Sequence, residues 1–297
     1  MHIVSGHLDC VSGISVSPDG QTLFSASWDK TLKIWELATG RELSILSGHT
    51  DFVSDVMISP NAQTLVSASW DMTLKVWELE TGKVRHTLTG HTDFVNGISI
   101  SPDSQILVST SWDGTLKVWE LETGKELHTL NGHTFSVHSV SISPDGQTLV
   151  SASSDKTLRV WELATGRELG ILKGHSDSVS DVKISSDGQT LISSSSDNSL
   201  KIWELATGRE LGILNGHTDS VIGISISPNA QTLVSTSLDK TLKVWDLQTG
   251  KEVMSFSGES AFSCCEIALD GHTVVAGDFD GKLYFFSLED LSFSDEH

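Results

Sequence analysis

Short runs of apolar and β-branched residues, broken by turn residues, recur along the whole chain. In residues 48 to 89 the first run is VSDVMIS, closed by the turn PNAQ; its counterpart in other copies is SPDGQ, where Pro and Asp-Gly supply turn geometry. TLVSAS follows, then the tight turn WDM, then TLKVWEL, then ETG, whose glycine is free to take positive φ, and finally KVRHTL. Helix signals are absent, so the pattern predicts four short strands per unit. Several positions are apolar on both strand faces, which requires each small sheet to be covered on both sides. Radial stacking of the sheets achieves this.

The unit repeats every forty-two residues, starting at 6, 48, 90, 132, 174, 216 and 258. Six copies open on Gly-His, with His7, His49, His91, His133, His175 and His217, and the seventh has Glu259. Trp35, Trp77, Trp119, Trp161, Trp203 and Trp245 recur in the same frame, with Phe286 as the seventh equivalent after a one-residue deletion. Six residues before each aromatic stands an aspartate: Asp29, Asp71, Asp113, Asp155, Asp197, Asp239 and Asp280.

These residues resemble the WD-repeat family over essentially the whole chain, through Gly-His and the S-x-S-x-D-x-T/S-L-K/R-[IV]-W stretch. The resemblance implies an all-β fold, a seven-bladed β-propeller of four-stranded antiparallel blades. It also implies that the strand before each Gly-His is the outer edge of the preceding blade. His2 to Ser5 would then complete the last blade and close the ring, removing exposed sheet edges. Residues 1–288 would form this single domain and 289–297 a C-terminal tail, whose segment offers a competing closure. The short loops and near-identical blades resemble bacterial, cyanobacterial-type WD-repeat proteins. The ending AFSCCEIALDGHTVVAGDFDGKLYFFSLE resembles the last blade of WD-repeat regions at the C-termini of large bacterial signalling proteins, which implies a sensor or scaffold role.

Ser, His and Asp in every regular unit could suggest nucleophilic catalysis. An active site is singular, however, and this set occurs six times. By the resemblance, each aspartate accepts a proton from the Gly-His imidazole, the imidazole meets a second-strand serine, and that serine meets the Trp indole. The serines are Ser25, Ser67, Ser109, Ser151, Ser193 and Ser235. Such networks satisfy buried polar groups and serve structure, so no catalytic residue is assigned. In the last blade Glu259 and Phe286 break the network, which predicts the weakest hydrogen-exchange protection there. No Cys/His pair has zinc spacing and no glycine loop cradles phosphate, so no metal or cofactor is expected. His138 is the one extra histidine that the resemblance places near the central top rim, where solvation is expected.

Function is sought where the repeats differ. The residue before the turn aspartate is Trp28, Trp70, Trp112, Ser154, Ser196, Leu238 and Phe279 in blade order. Three residues after Gly-His come Cys10, Phe52, Phe94, Ser136, Ser178, Ser220 and Phe262. The resemblance puts both series on the top face, where the large apolar members fall on neighbouring blades seven, one, two and three. Trp28, Trp70, Trp112, Phe52, Phe94, Phe262 and Phe279 are therefore expected to form a docking surface for a partner protein or peptide, tryptophan being enriched at binding hot spots. Aromatic loops also stack on sugars, which leaves small-ligand or glycan binding as an alternative. An enzyme using the central channel is the remaining class, and no asymmetric cluster of carboxylates or histidines is read there.

Nineteen basic against thirty-nine acidic residues give a formal charge of −20, which disfavours nucleic acid and anionic membranes as partners. No apolar run reaches eighteen residues, and MHIVSGHLDC lacks a signal-peptide pattern. Three cysteines, two of them adjacent, suit a reducing compartment, so a cytoplasmic location is expected. A monomer is expected, or one part of a larger multidomain protein.

Overall fold

The computed structural model describes residues 2–288. They form seven four-stranded antiparallel sheets. Blade two is typical, with strands Val53–Ile58, Thr64–Ser69, Thr73–Glu78 and Lys83–Thr89 in spatial order. Gly82, in the turn before the fourth strand, takes the left-handed φ of 67°. Blade seven has only three strands of its own, Phe262–Ile267, Thr273–Asp278 and Lys282–Ser287. The segment His2–Ser5 supplies the fourth, pairing antiparallel so that His2 lies opposite Phe285 and Ser5 opposite Lys282. The His2 ring stacks on Phe285 at 4.4 Å. The tail 289–297, the competing closure, lies outside the described residues.

The core is a set of sandwiches between neighbouring sheets. Val66, Ala68, Leu74 and Val76 of blade two pack against Val95, Ile98, Ile100 and Leu107 of blade three. The first strands of neighbouring blades contact one another around the ring, and the fourth strands are largely exposed. Closure therefore covers the faces of the sheets but not their outer edges, which corrects the expectation that it would remove edges altogether. Charged residues such as Glu126, Glu168 and Glu210 stand on those outer strands, a common guard against edge-to-edge pairing.

Each of the first six blades carries one buried relay. In blade two the Trp77 Nε1–H donates to Ser67 Oγ at 2.9 Å, Ser67 Oγ meets His49 Nε2 at 2.8 Å, and His49 Nδ1 meets Asp71 Oδ2 at 2.8 Å. Because the serine oxygen already accepts from the indole, its own proton goes to Nε2, which leaves Nδ1–H to donate to the aspartate. The same three distances fall between 2.7 and 2.8 Å in blade one, with His7, Ser25, Asp29 and Trp35. Blades three to six repeat them with His91, His133, His175 and His217. Burial alone would raise Asp71, but hydrogen bonds from His49, Thr73 and the Thr50 amide outweigh it and hold the carboxyl well below the usual carboxylate range. The glycine of Gly-His is required by the indole: a Cβ on Gly48 would come within 3.0 Å of the Trp77 ring, and on Gly6 within 2.4 Å of Trp35.

Blade seven replaces the relay. Ala276 stands where the other blades have the relay serine, and Asp280 is exposed. Asp278, fully buried, accepts the Tyr284 hydroxyl at 2.9 Å and the amides of Asp280 and Lys282. Glu259 pairs with Lys282 at the surface. The space beside Gly258 is filled by the Phe262 ring, packed on Phe256 and Tyr284.

Substituting Ser67→Ala leaves the His49 Nε2 and the Trp77 N–H without partners in a fully buried site. A loss of about 1–3 kcal/mol for each stranded group is expected, read as a lower urea midpoint at unchanged slope.

Candidate binding site at the channel mouth

A backbone hydrogen bond ties the two variable loops together in each blade. Trp70 N–H donates to Phe52 O, Trp112 to Phe94, Trp28 to Cys10 and Phe279 to Ala261, at 2.9 to 3.0 Å. Side chains distant in sequence thereby become neighbours. Phe52 stacks on Trp28 at 5.3 Å and contacts Trp70 at 5.2 Å, while Phe94 stacks on Trp70 at 4.6 Å and contacts Trp112 at 5.3 Å. Phe279 meets Trp28 edge-on at 5.7 Å. The six rings form one unbroken arc over blades seven, one, two and three. Most are half-buried, and Trp112 at the end of the arc is 39% exposed.

Phe262 does not join this arc. It is fully buried and pairs with Asp278 as Val11 pairs with Ser27, so it holds the register of Val11, and Ala261 holds that of Cys10. The one-residue deletion lies in the loop before Phe262, and counting from Gly-His across it placed the residue one position wrong. Phe135, which sequence reading passed over, is 63% exposed in blade four. It replaces the aspartate found at Asp51 and Asp93, a break in symmetry visible in the repeat columns. Leu8, 96% exposed, is a further apolar group on a loop after Gly-His.

On the side of blades four and five the mouth is polar. His138 is not the solvated histidine that was expected: the Asn96 side-chain amide donates to its Nδ1 at 3.1 Å and to its carbonyl at 3.4 Å, and its Nε2 lies 2.6 Å from Ser154 Oγ. Burial, aided by His133, lowers its proton affinity. With Nδ1 accepting, Nε2 carries the proton and donates to Ser154, whose hydroxyl is also hydrogen-bonded to that of Ser178 at 3.2 Å. That direction is opposite to the one that would activate a serine nucleophile. The six relays have triad-like contacts too, but their serines are 0% exposed and already accept an indole N–H.

Below the arc a cavity of about 260 Å³ opens along the ring axis. Trp28, Trp70 and Phe279 line its mouth, and Asp55, Asp181 and Lys183 its wall. This corrects the expectation that the channel holds no asymmetric charged cluster. A register shift in each first strand places Asp55 and Asp181 at the inner surface. Each aspartate accepts the next residue's amide and one from the neighbouring blade: Val56 and Ile98 on Asp55, Val182 and Ile224 on Asp181. Two residues further along the strand, the side chains of Ser15, Ser99, Ser141 and Ser225 accept an amide of the following blade. Met57 and Glu266 do the same for Ile100 and Val16. Lys183 holds this position in blade five, and an ammonium cannot accept.

Desolvation pushes the Asp55 carboxyl up to about 6 and that of Glu266 to about 7. Lys183 is raised by the field of Asp181, against desolvation, with Asp55 and Glu266 adding to it.

A propeller of four-stranded blades bearing this relay defines the class. The WD domain, G-beta repeat family matches residues 1–36, 40–78 and 82–120, and the IFT122 first beta-propeller family matches residues 136–292, slightly more than half of the chain. The chain belongs to the WD-repeat β-propellers. Over 39 residues, 13% of the chain, it is 56% identical to ribosome biogenesis protein BOP1 homologs of Drosophila erecta and Drosophila melanogaster, and 54% identical to that of Drosophila willistoni. The match spans 5% of the length of these relatives.

Glu266 keeps its proton in the folded state to about pH 7, against an unfolded value of 4.5. Its ionisation therefore opposes folding at alkaline pH, and the penalty is relieved as pH falls through 7 toward 4.5. Glu266→Gln retains the acceptor for Val16, so the variant is expected to be more stable than the parent at pH 8. The difference shrinks toward zero by about pH 5, as urea midpoints across the range will show.

Proposed function

We propose that the ring is a non-catalytic interaction module that binds a partner protein or peptide on the aromatic arc of its top face. The observation that carries this is the arc itself. Six aromatic side chains on four adjacent blades form one continuous apolar surface with an exposed end at Trp112, whereas blades four and five carry serine at the same positions and blade six a lone Leu238. A partner that covers such rings gains about 25 cal/mol for each Å² of apolar surface taken from water. WD-repeat propellers generally serve as scaffolds for protein contacts.

Two features favour a peptide over a glycan. One face of Trp28 is taken by Phe52 and one face of Trp70 by Phe94, which leaves less open ring for a sugar to stack on. The cavity is also below the range of about 300–1,000 Å³ usual for small-ligand pockets. The proton direction at His138 and the sealed relays support the non-catalytic reading.

The formal charge of −20 speaks against nucleic acid and anionic membranes, and no described helix is long and apolar enough to cross a membrane. The three free, buried thiols agree with the cytoplasm. A sensor or scaffold role is part of this reading, on the resemblance of the ending AFSCCEIALDGHTVVAGDFDGKLYFFSLE to the last blade of WD-repeat regions in large bacterial signalling proteins. The 39-residue match to the BOP1 homologs is about one repeat long, so it carries the repeat and not their role in ribosome biogenesis.

Affinity capture with the parent chain, followed by titration of the purified partner, tests the reading. Replacing Trp70 and Trp112 with serine is expected to weaken that binding by at least about thirtyfold while the urea midpoint stays near that of the parent. Unchanged binding by the double variant would remove the arc from the partner site.

A further inference from the structure

The structure assigns a specificity to this surface: the bound segment is a peptide that lays an apolar residue on the arc and sends a cationic side chain, arginine or lysine, into the channel beneath it. The inference rests on the arc being the partner site. Its independent support is the charge and shape of what lies under the rings. Trp28, Trp70 and Phe279 frame an opening whose wall carries Asp55 and Asp181, with Glu266 at the register of Lys183 in blade seven. Asp55 and Asp181, with Glu266 held toward its neutral form by burial, thus act on one ammonium.

Lys183 is two residues from Asp181 on the same strand and feels that carboxylate most strongly. The field of Lys183 reaches Asp55 and Glu266 as well, yet among the described residues neither forms an ion pair within 4.0 Å. Their polar partners are backbone amides: Val56 and Ile98 on Asp55, and Val16 on Glu266. The other polar groups that line this space, Ser12, Ser54, Asn96, Ser139, Ser180 and Ser263, are uncharged, burial pushes the thiols of Cys10, Cys264 and Cys265 up, and His138 is held toward its neutral form.

An entering guanidinium or ammonium would therefore meet a surplus of negative charge in a poorly solvated space, where opposite charges attract strongly. On the way it would pass between indole rings, whose faces attract cations. The long alkyl stem of such a side chain suits the apolar mouth, and its charged end suits the wall. An acidic or uncharged side chain meets no such complement. The overall charge of −20 also steers cationic segments toward the ring.

The test is calorimetric titration of the whole chain with acetylated, amidated Gly-Leu-Arg-Leu-Gly and with the same peptide carrying norleucine for arginine. The arginine peptide is expected to bind at least about tenfold more tightly. That preference should fall below about threefold in the Asp55→Asn/Asp181→Asn variant. In the parent protein it should also narrow as sodium chloride rises, a readout that does not depend on any variant folding.

Equal affinity of the two peptides, or no binding of the arginine peptide at millimolar concentration, overturns the channel specificity and leaves the arc as a docking surface intact. A preference that survives both the aspartate substitutions and high salt overturns it as well. If the charge preference is present but Trp70→Ser/Trp112→Ser leaves the binding of both peptides and of the captured partner unchanged, the arc reading fails instead and the cation-accepting channel stands.

Discussion

Everything in this ring depends on its returning to its own start. The last blade is completed by His2–Ser5, held by four register pairs to the strand Lys282–Ser287, so the seven sheets must together turn through one full revolution. Each sheet packs only on its two neighbours, as in other repeat proteins, and an error of angle in one interface would have to be absorbed by the others. Near-identity of the blades is the simplest way to meet that condition. The forty-two-residue period, the relay, and the glycine beside each indole are consequences of it.

The relay shows how a thin sheet keeps polar groups inside. Trp77, Ser67, His49 and Asp71 bridge the third strand, the second strand and the loops at the top of the blade, and each group both stabilises and orients the next. Proton direction runs one way, from indole to carboxylate, and the aspartate stays ionised. Blade seven reaches the same end by other means. Asp278 receives a tyrosine hydroxyl and two amides, while Phe262, Phe256 and Phe286 occupy volume that histidine and tryptophan fill elsewhere.

Much of this was legible in the sequence because six regular copies of each position restate the same constraint. The strand pattern and the column of loop aromatics follow from aligned repeats, and the closing strand from the family resemblance. What was missed has physical reasons. Phe262 was misplaced because a deletion inside a loop shifts every count made from the loop's start, whereas strand pairing fixes register from the other side. Asp278 was hidden in a column of serines, and Asp280, which kept the repeat, turned outward. Asp55 and Asp181 were invisible as channel residues because a bulge at the start of each first strand breaks the alternation from which facing is read. Phe135 could have been found by comparing its column alone, since aspartate is replaced there by an aromatic that the fold leaves in water.

The channel carries the strongest argument that the asymmetry of this ring is purposeful. At the position of Lys183 four blades use serine, which accepts an amide of the following blade and carries no charge. Lysine there gives up that acceptor and sets a charge in a confined space, and Glu266 at the same position in blade seven is pushed toward its neutral form. A chain shaped by stability alone would repeat the serine. Departures from a solution already present four times in the same molecule, at a cost in stability, are where function is to be sought. Lys183 lines the channel beneath the aromatic arc, so the asymmetry of the loops and that of the channel wall meet at one opening.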